Sequence, residues 1–155
     1  MSAEPDYVPG ASKWANDQVR AYEPSGGQRR GDMRGVPVII LTTRGRKSGA
    51  LRKAPLMRVK HGDRYAAVAS LGGAPEHPVW YLNLLADPIV TLQDQADKRK
   101  YRAHTATGEE RDEWWARAVA VWPDYAKNQT RTDREIPVVV LDPIDSGHPI
   151  GVPAE

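Results

Sequence analysis

The sequence of 155 residues predicts an α+β fold, a small barrel of six antiparallel strands with flanking helices. Three observations predict it. Short β-branched or alternating runs recur from Val36 to Leu141, and turn formers such as His61-Gly62-Asp63 join neighbouring runs as hairpins. Three helical inserts interrupt the runs without the regular βαβ alternation of a parallel sheet. The chain holds no internal repeat and no low-complexity tract.

In chain order, a helix is expected from about Ser12, whose hydroxyl suits an N-cap. Trp14, Gln18 and Tyr22 share one face, with Val19 beside them. The segment Glu23–Gly35 is rich in turn formers and too polar to build a core. The chain therefore divides into residues 1–35 (helix and flexible linker), 36–143 (barrel) and 144–155 (tail). The N-terminal arm either packs on the barrel or closes over a ligand. Val36–Thr43 is apolar on both faces, as a central strand should be. Pro55, Met57 and Val59 alternate with Leu56, Arg58 and Lys60, which predicts a single strand with one buried and one wet face. The returning strand, Arg64–Ser70, is poor in bulk, so another backbone or a flat ligand can approach it closely.

Pro78 suits the first turn of a short helix over Val79–Ala86, which Asp87-Pro88 ends. Ile89–Gln93 and Lys98–Thr105 read as a further antiparallel pair, the second charged enough for an edge or a wet face. Thr107 and Glu110 have capping-box spacing. They precede a helix striped by Trp115, Val119 and Trp122, flanked by Trp114 and Ala118, and limited by Pro123. Ile136–Leu141 is the last strand, and the tail beyond Pro143 is expected to be disordered.

Composition removes whole classes of chemistry. The absence of cysteine excludes disulfides, thiolate nucleophiles and thiolate-held metals, and it suits a reducing cytoplasm. A net charge of +2 is too small to imply a nucleic-acid partner. The longest apolar run, Val36–Leu41, falls far short of the ~20 residues that cross a bilayer, and the N-terminus shows no secretory pattern. His61, His77, His104 and His148 lack metal-ligand spacing. There is no Gly-x-Ser-x-Gly elbow and no close carboxylate pair. A chain without its own acid, base or metal set points to chemistry carried by a bound cofactor.

Three segments could hold one. Thr42-Thr-Arg-Gly-Arg-Lys-Ser-Gly49, followed by Arg52 and Lys53, gathers Arg44, Arg46, Lys47, Arg52 and Lys53 around two glycines and Ser48. It reads either as a solvated basic loop or as a phosphate or carboxylate cradle. Gly45-Arg-Lys-Ser48 lacks the glycine spacing of a Walker A loop, and no broad basic face with stacking aromatics suggests nucleic acid. Ala69-Ser-Leu-Gly-Gly-Ala-Pro-Glu-His-Pro78 runs into Val79, Trp80 and Tyr81, and is either a plain connection or a rim of backbone amides and an indole. Between Trp122 and Glu135, Tyr125 and Asn128 sit one helical turn apart and could offer polar groups to a substrate.

Gly35-Val-Pro-Val-Ile-Ile-Leu-Thr-Thr-Arg-Gly-Arg-Lys-Ser-Gly49 with Arg52 and Pro55-Leu56 resembles the deazaflavin (coenzyme F420)-dependent nitroreductase family of actinobacteria. So do Ala69-Ser-Leu-Gly-Gly-Ala-Pro75, Pro78-Val-Trp-Tyr-Leu-Asn-Leu84 and Thr132-Asp-Arg-Glu-Ile-Pro137, in order and spacing, over about Trp14 to Pro143. The resemblance implies a split β-barrel of the flavin-reductase, FMN-binding-like type. It implies that Arg46, Lys47, Ser48 and Arg52 hold the phosphate and polyglutamate tail of F420. Pro55, Met57, Val68, Ser70, Val79 and Trp80 would line the deazaflavin ring. The hydride would come from the cofactor, so no catalytic side chain is implied.

Leu71 departs from the family pattern, where a characterised nitroreductase-type member carries lysine. Asn128 and Arg131 stand where that member has aromatic residues, while Tyr125 is kept. Cofactor use therefore transfers better than nitroimidazole reduction, and quinones are the preferred acceptor class, with Tyr125 and Asn128 as acceptor contacts. FMN is the less favoured cofactor, and an FMN-dependent oxidase on the same barrel is one alternative. A non-catalytic carrier of deazaflavin or of a fatty ligand is the alternative from another class. The expected partner is a small-molecule electron acceptor rather than nucleic acid. A peripheral membrane contact and the choice between monomer and homodimer stay open.

Overall fold

The computed structural model describes residues 7–144. Helix α1 (Lys13–Ser25) leads to β1 (Asp32–Met33), β2 (Val36–Arg44), β3 (Leu51–Met57), β4 (Val59–His61) and β5 (Arg64–Val68). A 3-10 turn, Leu71–Gly73, precedes α2 (Val79–Ala86). Then come β6 (Ile89–Asp94), β7 (Asp97–Thr105), α3 (Gly108–Val121), α4 (Asp124–Thr130) and β8 (Val138–Pro143). All sheet pairs are antiparallel, in the order β1-β2-β6-β7-β8-β5-β4, with β3 also on β2.

The strand expected over Pro55–Lys60 is two strands. Leu51–Met57 pairs with β2, and Val59–His61 pairs with β5. Arg58 is the corner. Its N–H donates to Pro37 O at 2.8 Å and its guanidinium to Asp94 at 3.0 Å. Asp94 also accepts from the Tyr65 hydroxyl at 2.6 Å. Taken as one bent stave, β3 and β4 give the six staves of the expected barrel, split between β3 and β5, and β1 is a two-residue addition.

Strand alternation explains both the core and the continuous apolar runs. Ile39, Leu41, Tyr65, Ala67, Leu92, Tyr101 and Val139 point inward, joined by Tyr81 and Leu84 of α2. On the outer face, Val38 and Ile40 receive Val19 and Tyr22 of α1. Ala66, Val68, Val138 and Val140 receive Trp114, Ala118 and Tyr125 of α3 and α4. Strand β7 is not at an edge. It lies between β6 and β8 and keeps one wet face.

Ser12 caps α1, its Oγ accepting from Ala15 N at 3.2 Å. The buried face is Gln18, Val19 and Tyr22, whereas Trp14 is 51% exposed. Two anchors set that rotation. Tyr22 Oη donates to Val38 O and accepts from Gln95 N, and Gln18 Nε2 donates to the carbonyls of Arg30 and Asp32. The supposedly loose stretch after the helix is tied down as well, since α1 runs through Pro24 to Ser25 and Asp32–Met33 pairs with β2. At α3, Thr107 is the N-cap residue but its hydroxyl makes no cap bond. Glu110 is drawn instead to Arg64 at 3.1 Å and His104 at 2.8 Å, so the capping box does not form. The helix buries Trp114 and Ala118, and the expected stripe of Trp115, Val119 and Trp122 lies at the half-buried margin.

Of the tail expected to be disordered, Ile144 is placed, its N–H donating to Lys100 O at 3.3 Å, and residues 145–155 lie outside the described residues. Among the described residues no helix is long and apolar enough to cross a membrane.

Burial, the largest influence on each, pushes the phenols of Tyr22, Tyr65 and Tyr101 above the ordinary tyrosine range. The fold therefore favours their neutral form. That contribution is complete below about pH 10, the unfolded value, and is lost as pH rises further. Urea denaturation at rising alkaline pH should show stability falling from that point; a flat profile would contradict it.

Candidate cofactor site

The turn between β2 and β3 is built by its own backbone. Gly45 N donates to Ala50 O at 2.7 Å, Gly49 N donates to Gly45 O at 2.9 Å, and Ser48 Oγ accepts from Ala50 N at 3.1 Å. Its anchor is a residue the sequence reading did not single out. Asn83, 1% exposed on α2, accepts from Arg46 N at 3.1 Å and donates to Thr43 Oγ1 at 3.2 Å. The available signal was a lone amide within Val79-Trp-Tyr-Leu-Asn-Leu-Leu-Ala86, because a buried polar group has to find partners. Asn83→Ala strips partners from both groups, and calorimetric or denaturant unfolding should show a loss of about 1–3 kcal/mol. An unchanged midpoint would mean that α2 does not hold the turn.

The five basic residues of this region divide by what they touch. Arg44 donates to Gly49 O. Lys53, its side chain 3% exposed, is buried against Glu23 at 2.7 Å and lies 4.8 Å from the Tyr7 ring centroid. Arg52 donates to the carbonyls of Val8 and Pro9 at 2.9 and 3.1 Å. These last contacts belong to the N-terminal arm, which packs along β3 through a parallel bridge between Tyr7 and Leu51. Arg46 and Lys47 are exposed and have no side-chain partner among the described residues. The cations are thus not one cluster. Two stand clear on an anchored turn, and a third is shared with the arm.

The other expected residues fall in two places. Met57 and Pro55 are register partners of Val38 and Ile40, so they share the outer face on which α1 sits. Val68 is on the outer face of β5, packed with Tyr125. Strands β3 and β5 approach to within 8 Å between Cα atoms. Pro55, Met57 and Val68, with Ser70 just beyond β5, therefore flank the split on the outside of the barrel. At the strand rise of roughly 3.3 Å per residue, Pro55 lies about 10 Å along β3 from Arg52. Trp80 packs against the interior cluster beside Leu56, at the barrel mouth, and Val79 is 65% exposed.

Tyr125 and Asn128 are both buried on α4. Burial pushes the Tyr125 phenol up to about 12, so it is a proton donor at neutral pH and no base. Its hydroxyl makes no hydrogen bond among the described residues, while Asn128 Oδ1 lies 3.4 Å from an Arg131 guanidinium nitrogen. Two open hollows, of about 740 and 570 Å³, lie elsewhere and include none of the expected site residues. The first is lined by Arg58, Lys60 and Val121, the second by Trp14, Gln18 and Met33.

Comparison with known proteins decides what this arrangement belongs to. The family described as F420H(2)-dependent quinone reductase matches residues 14–143. The chain belongs to that family.

Its similarity to Rv3178 of Mycobacterium tuberculosis, which carries the family's name, is 39% identity over 70% of this chain and 91% of the other. Rv1261c of the same organism, named an F420H(2)-dependent quinone reductase, is 34% identical over 68% of this chain and 72% of its own length. A solved structure described as an F420-H2 dependent reductase is 48% identical, covering 68% of this chain and 94% of that chain with a TM-score of 0.65. Another, described as a domain-swapped dimer, is 41% identical over 82% of this chain and 93% of that chain, with a TM-score of 0.69. The protein is an F420-dependent oxidoreductase on a split β-barrel, as the resemblance implied, and its family name is that of quinone reductases rather than nitroreductases.

Proposed function

We propose that this protein transfers a hydride from reduced F420 to a quinone. The observation that carries the reading is the pair Arg46 and Lys47, two exposed cations without side-chain partners among the described residues, on a turn that a buried amide fixes in place. A polyanionic tail needs such donors. The turn leads directly into β3, whose outer face carries Pro55 and Met57, so the donor set fits a cofactor with an anionic tail and a flat apolar ring. The chemistry F420 supplies when bound is hydride donation from its reduced deazaflavin.

In this reading Arg46, Lys47 and Ser48 bind the tail, with Arg52 joining them at the rim. Pro55, Met57, Val68 and Ser70 seat the ring against the split, with Val79 and Trp80 at its margin, and keep water from that face. Tyr125 offers a hydroxyl to an acceptor oxygen, and Asn128 lies beside it. Assembly as a homodimer belongs to the same reading, the relative described as a domain-swapped dimer being the support.

Fluorescence titration with F420, with FMN run in parallel, tests the cofactor. Saturable binding of F420 alone is expected; binding of FMN alone or of neither overturns it. Oxidation of the reduced cofactor by a soluble quinone tests the reaction. Tyr125→Phe should lower acceptor kcat/KM by about 1.5 kcal/mol, roughly tenfold, with cofactor affinity unchanged. A variant that loses cofactor binding instead would place Tyr125 at the ring and not at the acceptor.

A further inference from the structure

The loop between β5 and α2 takes a conformation that one of its residues, Leu71, disfavours. Leu71, Gly72 and Gly73 have φ of 46°, 64° and 85°, three left-handed residues in a row, and Leu71 is not glycine. A non-glycine residue in that region costs roughly 1–2 kcal/mol, so something outside the loop has to hold it. That something is Arg134. Its Nε donates to Ala74 O at 2.9 Å, one terminal nitrogen to Ala69 O at 3.1 Å and to His77 Nδ1 at 3.1 Å, and the other to Ser70 O at 2.8 Å. Four acceptors, spread across nine residues from Ala69 to His77, close on one planar guanidinium. Arg134 is itself fixed. Its N–H donates to Thr132 Oγ1 at 3.3 Å and its carbonyl accepts from Gln129 Nε2 at 2.8 Å.

We infer that Arg134 is the positioning residue for the ring side of the F420 site: its guanidinium clamps the Ala69–His77 loop and so sets Ser70 and the start of α2. The inference rests on the proposed placement of the ring at Ser70, Val79 and Trp80. Arg134 needs to touch neither cofactor nor acceptor. The fork geometry is what matters, because an ammonium at the same place is a single point that cannot span acceptors on both sides of the loop.

The test uses two probes, F420 and the riboflavin-level deazaflavin that lacks its phosphate and glutamates. Arg134→Met should weaken both by the same factor, about tenfold or more, the equivalent of at least one charged hydrogen bond. Arg134→Lys should fail to restore either. The Arg46→Ala, Lys47→Ala double variant should weaken F420 alone, a contrast that general destabilisation would not produce. Amide hydrogen exchange without cofactor should rise at residues 70–77 in both Arg134 variants, while β5 and β8 stay protected. If Arg134→Met does not fold, Arg134→Lys carries the same comparisons. Wild-type affinity or wild-type loop exchange in Arg134→Lys overturns the inference, as does a loss confined to intact F420. Wild-type protein that binds neither probe overturns the cofactor reading instead, and the exchange experiment still decides whether Arg134 holds the loop.

Discussion

Replacing Arg46 and Lys47 together by alanine will weaken F420 binding by about 3–6 kcal/mol, since each charged hydrogen bond contributes roughly 1.5–3. That is a loss of about two to four orders of magnitude in affinity. Thermal stability will not change, because neither side chain has a protein partner among the described residues. The same pair of measurements on Lys53→Ala will give the opposite pattern. Lys53 is buried against Glu23, and removing it leaves that carboxylate, its side chain 19% exposed, with the longer Lys98 contact at 3.7 Å in place of the close one at 2.7 Å. Salt sharpens the contrast. Exposed cations act through a screened field, so raising ionic strength should erode wild-type affinity and leave the double variant nearly flat. Unchanged affinity in the double variant would remove the turn from the site and leave Arg52 as the cation to examine, with its bonds to Val8 and Pro9 broken by deleting the arm.

Much of the barrel was legible because period-two patterning is a local signal. Val36–Arg44, Ile89–Asp94 and Asp97–Thr105 match their expected strands to within a residue or two at either end. What failed was what depends on distant partners. Nothing near Arg58 in sequence announces a corner; Asp94 and Pro37 make it one. Nothing near Thr107 says that Glu110 will be claimed by Arg64 and His104. The Trp115 stripe was a fair reading of helical periodicity, but two adjacent tryptophans left the face ambiguous, and Trp114 filled the space over β5 and β8.

The candidate site shows the same division. A cluster of basic residues is visible in sequence, but which cations are spoken for is not, because Glu23 and the arm lie far from them along the chain. Asn83 and Arg134 were both inside segments that carried the family resemblance. Their importance appears only when their bonds do: one amide joins helix to turn, and one guanidinium joins β8's approach to the loop after β5.

Gly73→Ala will be the most damaging small change in that loop, at about 2–5 kcal/mol of stability: roughly 1–2 for a left-handed alanine and 1–3 for overpacking, taken together. The glycine has φ of +85°, and a Cβ there would lie 2.7 Å from Asn128 O and 3.0 Å from Arg131 Cβ. The first of these atoms is helix backbone and already accepts from Arg131 N at 3.1 Å, so it cannot swing aside alone. Either the loop lifts or α4 shifts. Tyr125 and Asn128 travel with α4, which makes the acceptor side of the site the part that suffers: quinone turnover should fall further than F420 affinity. Gly72→Ala is the control. It shares a positive φ, +64°, but its Cβ would meet nothing within 4 Å. It should cost only the conformational part, about 1–2 kcal/mol. Denaturant unfolding and quinone kcat/KM on the two variants separate contact from conformation. If Gly73→Ala proves no worse than Gly72→Ala in both, the loop is not seated on α4, and Tyr125 owes its position to α3 and the barrel wall alone.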